Sequence, residues 1–282
     1  MSSPAVPEPP IVDTHAHIFT MDMPRSDSAW FEPQYGFTAE QYLALLDRHG
    51  IHFGVIAGIS IYGLYNDYMI EQLRRYRRLR GTANVAATTD RYTLERMRSD
   101  GIVGIRLQLT RREELPNLAS EEYRLLLRRL ADLDMHVEVI VEGPRCPQVL
   151  ELLEASGVKI VVDHFGHPDP LKGVRCAGFQ AVLRSIERGR TWVKLSAGYR
   201  LTWAKAGQAT RDTESLRLAQ ELAQSLLQNA GAERLLWGSD CPFVGHESAV
   251  SFDDTLEELA RWVPDGHVRR RISDTALRLY FG

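Results

Sequence analysis

Two histidines stand two positions apart, His15 and His17, in the segment DTHAH that follows a short apolar run. Alternate residues of a β-strand project from the same face, so the spacing predicts that both imidazoles point the same way. Converging imidazoles form half of a divalent metal site or half of a site that polarises a carbonyl group. The apolar neighbours Ile11 and Ile18 favour a structured site over a pair of surface histidines on a flexible terminus.

A third histidine and a carboxylate recur after later apolar runs, as His164 and Asp240. Together with His15 and His17 they could hold one divalent ion such as zinc, whose bound water is a nucleophile near neutral pH. Without a metal, the histidines would polarise a substrate carbonyl while Asp240 accepts a proton from the attacking water. The residue types leave open whether no cofactor or one divalent metal is needed. The structural alternatives are a turn or helix-cap role for Asp240 and a buried core position for His164.

Three arginines are predicted near the same site: Arg106 within an apolar run, Arg112 just beyond it, and Arg200 after a later run. Guanidinium groups bind carboxylates in a bidentate manner, so we expect an anionic substrate. For Arg106, an internal ion pair with Glu138 is an equal alternative. Further candidates for hydrogen bonds to the substrate follow the second apolar run, namely Ser60, Tyr62 and Asn66, and His167 and His246 could line loops over the site.

Composition restricts the class of partner. The 282 residues carry a formal net charge of −3, which gives no electrostatic signature for nucleic acid or an anionic membrane. No apolar run approaches the roughly 20 residues of a membrane span, and the three cysteines lack metal-site or disulfide spacing. We therefore predict a cytoplasmic protein with a small-molecule substrate, and the oligomeric state stays open.

Short strand-like runs alternate with amphipathic helical runs along the whole chain, which is typical of a parallel sheet with crossover helices. The predicted strands are 11–18, 52–61, 82–88, 104–109, 136–141, 159–163, 191–195 and 235–238. The predicted helices are 38–50, 66–79, 120–133, 147–156, 176–188, 215–230, 251–263 and one from about 266. Eight strands in a chain of this length indicate an α/β fold, a single-domain (β/α)8 barrel over 11–282 after a flexible segment 1–10, with a doubly wound sheet as the alternative.

Alternation within the strands supports the barrel, because inward residues at the carboxyl ends of barrel strands are polar. Arg106 and Gln108 alternate with Ile105 and Leu107, and Glu138 alternates with valines. The same pattern predicts that His164 lies on the face of Ile160 and Val162. The histidines and Asp240 should then meet at one mouth of the barrel.

The motifs DTHAH, GIRLQL, VVDHFGHPDP, KLSAGYR and LLWGSDCPF follow one another over nearly the whole chain. This ordered set resembles the amidohydrolase superfamily, in its amidohydrolase-2 branch, and is most similar to the 2-pyrone-4,6-dicarboxylate lactonases and related lactonases. The resemblance implies a (β/α)8 barrel, three histidines around a scissile ester carbonyl and Asp240 as the group that activates water. It also implies that Arg106, Arg112, Arg200 and Ser60 contact the substrate.

The chain departs from the lactonase pattern at Phe31 and Ile140, where tyrosines are expected, and Glu138 and Glu142 add negative charge. A monoanionic or neutral lactone is therefore as open as a dicarboxylate. The leading hypothesis is a hydrolase of aromatic or sugar acid catabolism that opens a small, carboxylate-bearing lactone. The alternatives are a zinc-dependent decarboxylase or hydratase of an unsaturated acid, and a non-catalytic barrel used for binding.

Overall fold

A computed structural model describes residues 9–202 and 212–282, in which eight parallel strands form one sheet in chain order. The strands are β1 (Val12–Ala16), β2 (Phe53–Ala57), β3 (Leu79–Ala83), β4 (Ile102–Gln108), β5 (His136–Ile140), β6 (Lys159–Val162), β7 (Thr191–Leu195) and β8 (Leu235–Trp237). Backbone hydrogen bonds of 2.8 Å from Asp240 to the His15 carbonyl and from His17 to the Cys241 carbonyl join the end of β8 to β1. The predicted (β/α)8 barrel is confirmed.

Helices cover the outside of the sheet, and several of them begin at side-chain caps. They are α1 (Ala39–Arg48), α2 (Asp67–Arg75), α3 (Arg91–Ser99), α4 (Glu121–Asp132), α5 (Cys146–Ala155), α6 (Ala177–Glu187), α7 (Thr213–Ala230), α8 (Phe252–Trp262) and α9 (Gly266–Tyr280). Thr38 and Gln41 form a reciprocal capping box at α1, and Ser251 and Asp254 form another at α8. Such caps satisfy backbone N–H groups that have no partner within the helix, and so fix where it begins.

The structure differs from the sequence prediction at three neighbouring elements. The predicted helix 66–79 ends at Arg75, and the next residues turn into β3 at Leu79, three residues before the predicted strand 82–88. Helix α3 was not predicted. Leu94 is its one buried residue, so it shows no apolar stripe, and the side chain of Asp90 caps its start.

Two apolar clusters hold the barrel together. Outward-facing strand residues such as Ile105, Val137 and Val193 pack with the surrounding helices in the larger one. Inside the barrel, at the amino-terminal end of the strands, the second cluster joins inward strand residues to Ala276 and Tyr280 of α9; its strand members are Val12, Val55, Val161 and Leu236. Helix α9 therefore closes the end of the barrel opposite the site.

Cys146, Cys176 and Cys241 are buried and free, in agreement with their spacing. Over the described residues, no helix is both long enough and apolar enough to cross a membrane. The predicted flexible segment 1–10 lies outside the described residues except for positions 9 and 10.

Candidate active site

His15 and His17 lie at the carboxyl end of β1, and both are buried. Nδ1 of His17 lies 2.8 Å from the carbonyl oxygen of Ala57 on β2. A carbonyl only accepts hydrogen bonds, so Nδ1 carries a hydrogen, and Nε2 is the nitrogen that can offer a lone pair to the site. The neighbouring strand thus fixes the tautomer of His17.

Asp240 enters the same mouth three residues after β8 ends. Its backbone is left-handed, with φ of 66°, a conformation that residues other than glycine rarely adopt. The hydrogen bond from its N–H to the His15 carbonyl at 2.8 Å supports this geometry. The strained turn carries the carboxylate across the barrel end towards the histidines.

The two oxygens of the Asp240 carboxylate have separate partners. Oδ2 accepts hydrogen bonds from the Tyr199 hydroxyl at 2.7 Å and from a terminal nitrogen of Arg200 at 2.9 Å. Oδ1 lies 3.6, 3.7 and 3.9 Å from the Nε2 atoms of His15, His17 and His164, respectively. Oδ2 is therefore anchored, while Oδ1 faces the three imidazoles.

Burial alone would raise the pKa of Asp240, but above all the guanidinium of Arg200 holds this pKa well below its usual range. Opposite charge and hydrogen bonds to the ionised form outweigh desolvation here. Asp240 is therefore ionised at neutral pH and able to accept a proton.

His164 reaches the site by a different route from the predicted one. Strand β6 ends at Val162, and strict alternation would turn His164 outward with Ile160. Instead His164 has φ of 49°, and this left-handed turn carries its ring into the mouth. Nδ1 lies 2.8 Å from the Ser196 hydroxyl. Burial, more than any neighbouring charge, lowers the pKa of His164 well below its usual value and keeps the ring neutral.

A buried ionic cluster lies directly beneath His15. Arg106 forms ion pairs with Glu138 at 3.0 Å and with Asp163 at 2.9 Å, so the internal pair considered for Arg106 is present. Lys194 contacts the same two carboxylates, at 2.5 Å and 3.4 Å. Two cations and two anions thus balance one another inside the barrel, where unpaired charge would be costly.

Lys194 is the most consequential residue that sequence reasoning missed. Its ammonium nitrogen lies 3.0 Å from Nδ1 of His15, and the side chain is fully buried. Burial and the Lys194 charge lower the pKa of His15 to about 3. A signal was available in the sequence, since Lys194 and Ser196 alternate with the apolar Val193 and Leu195 as inward barrel residues do.

Above these groups opens a cavity of about 530 Å³. It is lined by His17, Trp30, Ile59, Ser60, Arg106, Gln108, Thr110, Arg111, Ile140, Glu142, His167, Arg200, Asp240, Val244 and His246. His15 and His164 are buried behind this lining. The structure therefore brings nine of the twelve predicted site residues and loop candidates into one place: the three histidines, Asp240, Arg106, Arg200, Ser60 and the loop pair His167 and His246.

Three predicted substrate contacts lie elsewhere. Arg112 donates from Nε to the Gln108 carbonyl at 2.7 Å and does not line the cavity, whereas the neighbouring Arg111 does. Tyr62 is buried in a small cluster with Phe19. Asn66 donates to the carbonyl of Asn84 at 2.9 Å and so ties two loops together.

The histidine nitrogens and carboxylate oxygens of the site lie close enough together to be considered as ligands of one divalent metal ion. Ligand atoms of His15, His17 and Asp240 lie within 4.8 Å of one another, and a second such group is His15, Asp163 and His164. Imidazole nitrogen and carboxylate oxygen are the donors that zinc accepts, and the free lone pair of His17 suits this role. Because Arg200 already occupies Oδ2 of Asp240, an ion would bind through Oδ1. The first group therefore fits one divalent ion in donor type and spacing.

Comparison with known proteins finds one matching family profile and several similar hydrolases. The sequence profile of the family described as Amidohydrolase (Amidohydro_2) matches residues 12–282. A 4-sulfomuconolactone hydrolase from Rhizobium radiobacter is 26% identical over 275 residues, 95% of this chain and 89% of that protein. A 2-pyrone-4,6-dicarboxylate hydrolase from Comamonas testosteroni is 25% identical over 276 residues, 96% of this chain and 90% of that protein.

Solved structures with similar folds include a protein of the same described activity as these relatives. A probable 2-pyrone-4,6-dicarboxylic acid hydrolase from Acinetobacter baumannii, crystallised with citric acid, is 29% identical with a TM-score of 0.90, covering 96% of this chain and 99% of that chain. Dihydroxybenzoate decarboxylases from Polaromonas and Rhizobium are more distant, at 16% and 15% identity and TM-scores of 0.67 and 0.66. They cover 96% of this chain and 97% and 98% of their own, and share the fold alone.

Proposed function

Because the chain belongs to the amidohydrolase family, as its motifs predict, we propose that it is a hydrolase that opens a small, carboxylate-bearing lactone. The names of the relatives support this reaction class, which is also the class that the motifs predict. They further support a role in the breakdown of aromatic acids, which we place in the cytoplasm, while a sugar acid stays a prediction from the motifs alone. The partner is then a small anionic lactone.

One observation carries the proposal: an ionised carboxylate oxygen, Oδ1 of Asp240, lies 3.7 Å from Nε2 of His17 at the edge of a cavity, while Nδ1 of His17 is engaged by a backbone carbonyl. Two acceptors at this spacing hold a water molecule that donates one hydrogen to each. The water oxygen is then left with its lone pairs directed away from both acceptors. This is the arrangement needed for general-base attack on a carbonyl carbon.

The reaction follows from this geometry. The water oxygen forms a bond to the lactone carbonyl carbon while Oδ1 of Asp240 takes its proton. Arg106, which lines the cavity and lies 3.5 Å from Nε2 of His15, stabilises the negative charge that develops on the carbonyl oxygen. The ring C–O bond then breaks, and Asp240 returns the proton to the departing ring oxygen. The product is an open hydroxy acid, with one more carboxylate than the substrate.

His164 and Arg200 position the base. Arg200 contacts both Oδ2 of Asp240 at 2.9 Å and Nε2 of His164 at 3.2 Å. It thereby holds the carboxylate with Oδ1 turned towards the water. If a divalent ion is bound, His15, His17 and Asp240 would hold it, and it would supply a more acidic water.

We expect the Asp240→Asn variant to lose at least roughly 1,000-fold in kcat on any lactone that the wild-type protein opens, because the amide cannot accept the proton. The assay is acidification of a lactone panel, followed with a pH indicator. Asp253→Asn, at an exposed carboxylate that contacts His49, is the control and should keep wild-type activity. Full activity in Asp240→Asn would refute the mechanism.

The zinc-dependent decarboxylase or hydratase is the second candidate, favoured by the metal-compatible spacing of His15, His17 and Asp240. It requires one metal ion per chain in the purified protein, loss of turnover with a chelator, and action on unsaturated acids in place of lactones. Metal analysis of the purified protein, beside the lactone panel, separates the two candidates.

A further inference from the structure

The arginines that line the cavity differ in whether a carboxylate forms an ion pair with them. Arg106 is neutralised by Glu138 and Asp163, and Arg200 is neutralised by Asp240. Glu142, also in the lining, lies 3.7 Å from Arg145. Across residues 9–202 and 212–282, no carboxylate lies within ion-pair distance of the Arg111 guanidinium. Among the arginines that the structure describes in the cavity lining, Arg111 is therefore the one whose guanidinium makes no ion pair, although the Glu142 carboxylate acts on it electrostatically from a longer distance.

Arg111 is held in place without a charged partner. Its guanidinium carbon lies 3.7 Å from the centre of the Trp30 ring, and Trp30 Nε1 donates to the Ser60 hydroxyl at 3.0 Å. Stacking on an aromatic face leaves the in-plane N–H groups of a guanidinium available for a carboxylate. Trp30, Ser60 and Arg111 all line the cavity, so this platform faces the substrate.

The backbone explains why Arg111 enters the cavity and Arg112 does not. Arg111 has φ of 59°, and its N–H donates to the Glu142 carboxylate at 2.7 Å. The left-handed residue reverses the direction of the chain, and Arg112 is tied to the Gln108 carbonyl and to Arg145 on the other side.

From these contacts we infer that Arg111, stacked on Trp30, binds the acidic group of the substrate, and that the site takes a lactone with a single acidic group. This inference rests on the proposed lactone hydrolysis for the identity of the substrate. A second acidic group would have to share Arg200 with Asp240, or Arg106 with Glu138 and Asp163. These carboxylates already neutralise the two arginines, so a second full negative charge would be buried without a cation of its own, which is costly.

Binding of stable ring analogues tests the inference without turnover. Benzoate carries one carboxylate on a six-membered ring and isophthalate carries two, and neither can be hydrolysed. We expect calorimetry to show that Arg111→Met weakens benzoate binding by roughly 10- to 100-fold, the value of a charge-assisted hydrogen bond. Isophthalate should bind the wild-type protein no more tightly than benzoate. Arg112→Met, in the same loop and outside the cavity, is the matched control and should change neither affinity.

The inference is overturned if benzoate does not bind, if Arg111→Met binds it as the wild-type protein does, or if isophthalate binds 10-fold more tightly than benzoate. Turnover is measured separately, with 2-pyrone, its 6-carboxylate and its 4,6-dicarboxylate. Among these, the 6-carboxylate should have the highest kcat/KM, and Arg111→Met should raise its KM while leaving the neutral 2-pyrone within roughly two-fold. Benzoate binding at Arg111 with no lactone opened in the panel would contradict the proposed function alone.

Discussion

At the scale of single residues, each reactive side chain has one polar atom engaged by the protein and a second polar atom left open to the site. Oδ2 of Asp240 is anchored by Tyr199 and Arg200, which leaves Oδ1 for the water. Nδ1 of His17 is held by a backbone carbonyl, which leaves Nε2 for the same water. Each reactive atom is thus available because its neighbour in the same side chain is already engaged. Fixed geometry of this kind removes reorganisation from the reaction step.

Lys194 is the residue whose removal should be most damaging to stability. Lys194→Met leaves Glu138 and Asp163 buried with only Arg106 to balance them. We expect the free energy of unfolding to fall by about 3–5 kcal/mol, the range for breaking a buried ion pair. Urea unfolding followed by circular dichroism measures it.

The double variant Lys194→Met with Glu138→Gln is the control, because it removes one charge of each sign. It should recover part of the lost stability, so the two substitutions are not additive. Stability losses that simply add, or a Lys194→Met protein as stable as the wild type, would contradict the charge-balance account.

Residue types and spacing were sufficient to predict that three histidines and Asp240 meet at one mouth of the barrel, because the carboxyl ends of its parallel strands converge. The histidines are His15, His17 and His164. Residue types and spacing were not sufficient to choose between Arg111 and Arg112. That choice depends on a left-handed backbone at Arg111, and arginine has no intrinsic preference for that conformation. Likewise, a turn and not strand alternation directs His164 inward.

At the scale of elements, the barrel positions the site by ending its strands early and continuing in strained turns. Residues other than glycine with positive φ cluster after β4, β6, β7 and β8, at Arg111, His164, Phe165, His167, Ala197, Asp240 and Phe243. Non-glycine residues in this region cost on the order of 1–3 kcal/mol each and persist where the surrounding contacts enforce them. Strand positions could be predicted from alternation, while these turns could not, because they depend on contacts between distant elements.

Gly238, between β8 and Asp240, packs tightly against the tip of β1. A Cβ atom at this position would lie 2.5 Å from the Cβ of His15 and 2.8 Å from its backbone nitrogen. Gly238→Ala must therefore push the tip of β1 away from β8. We expect a loss of about 1–3 kcal/mol in stability, typical of overpacking, and a fall of roughly 10-fold or more in kcat as His15 and His17 shift.

Thermal unfolding and lactone kinetics measure the two effects. Gly266→Ala, at the start of α9, is the control, because its Cβ would meet only the end of the flexible Arg269 side chain at 3.5 Å. Gly238→Ala with wild-type kcat would show that the distance between β1 and β8 is not critical to the site.

At the scale of the whole molecule, polarity changes along the barrel axis. Helix α9 and an apolar layer that includes Val55 and Leu236 fill the end opposite the site. The paired charges of Arg106 and Lys194 with their carboxylates occupy the next layer, and the cavity opens above it. The apolar layer stabilises the fold, so residues in the polar layers can be polar or charged as catalysis requires. The eight alternating strand and helix units made this architecture predictable from the sequence. The pairing of charges inside the barrel could not be predicted, because it depends on side-chain contacts that only the structure shows.

Buried histidines make the whole fold sensitive to acid. Burial lowers the pKa of His15, His136 and His167 to about 3, and that of His164 well below its usual value. In the unfolded chain the pKa of histidine is about 6.5, so these four take up protons on unfolding as the pH falls below that value. Asp13 and Glu138 act in the opposite sense, because burial raises their pKa to about 6 and about 7 and they hold protons in the folded state.

Four histidines outnumber two carboxyl groups, so near pH 5 the unfolded state binds more protons than the folded state and stability falls as the pH is lowered. The excess corresponds to a loss on the order of 2–3 kcal/mol per pH unit between about pH 6 and 5. We therefore expect the urea midpoint to fall between pH 7 and pH 5, and His52→Gln, at an exposed position, to leave that fall unchanged. A midpoint that stays constant or rises at pH 5 would mean that the buried histidines are protonated in the folded protein. In that case His164 would carry a positive charge beside Asp240, and the neutral ring that the site holds there would be lost as well.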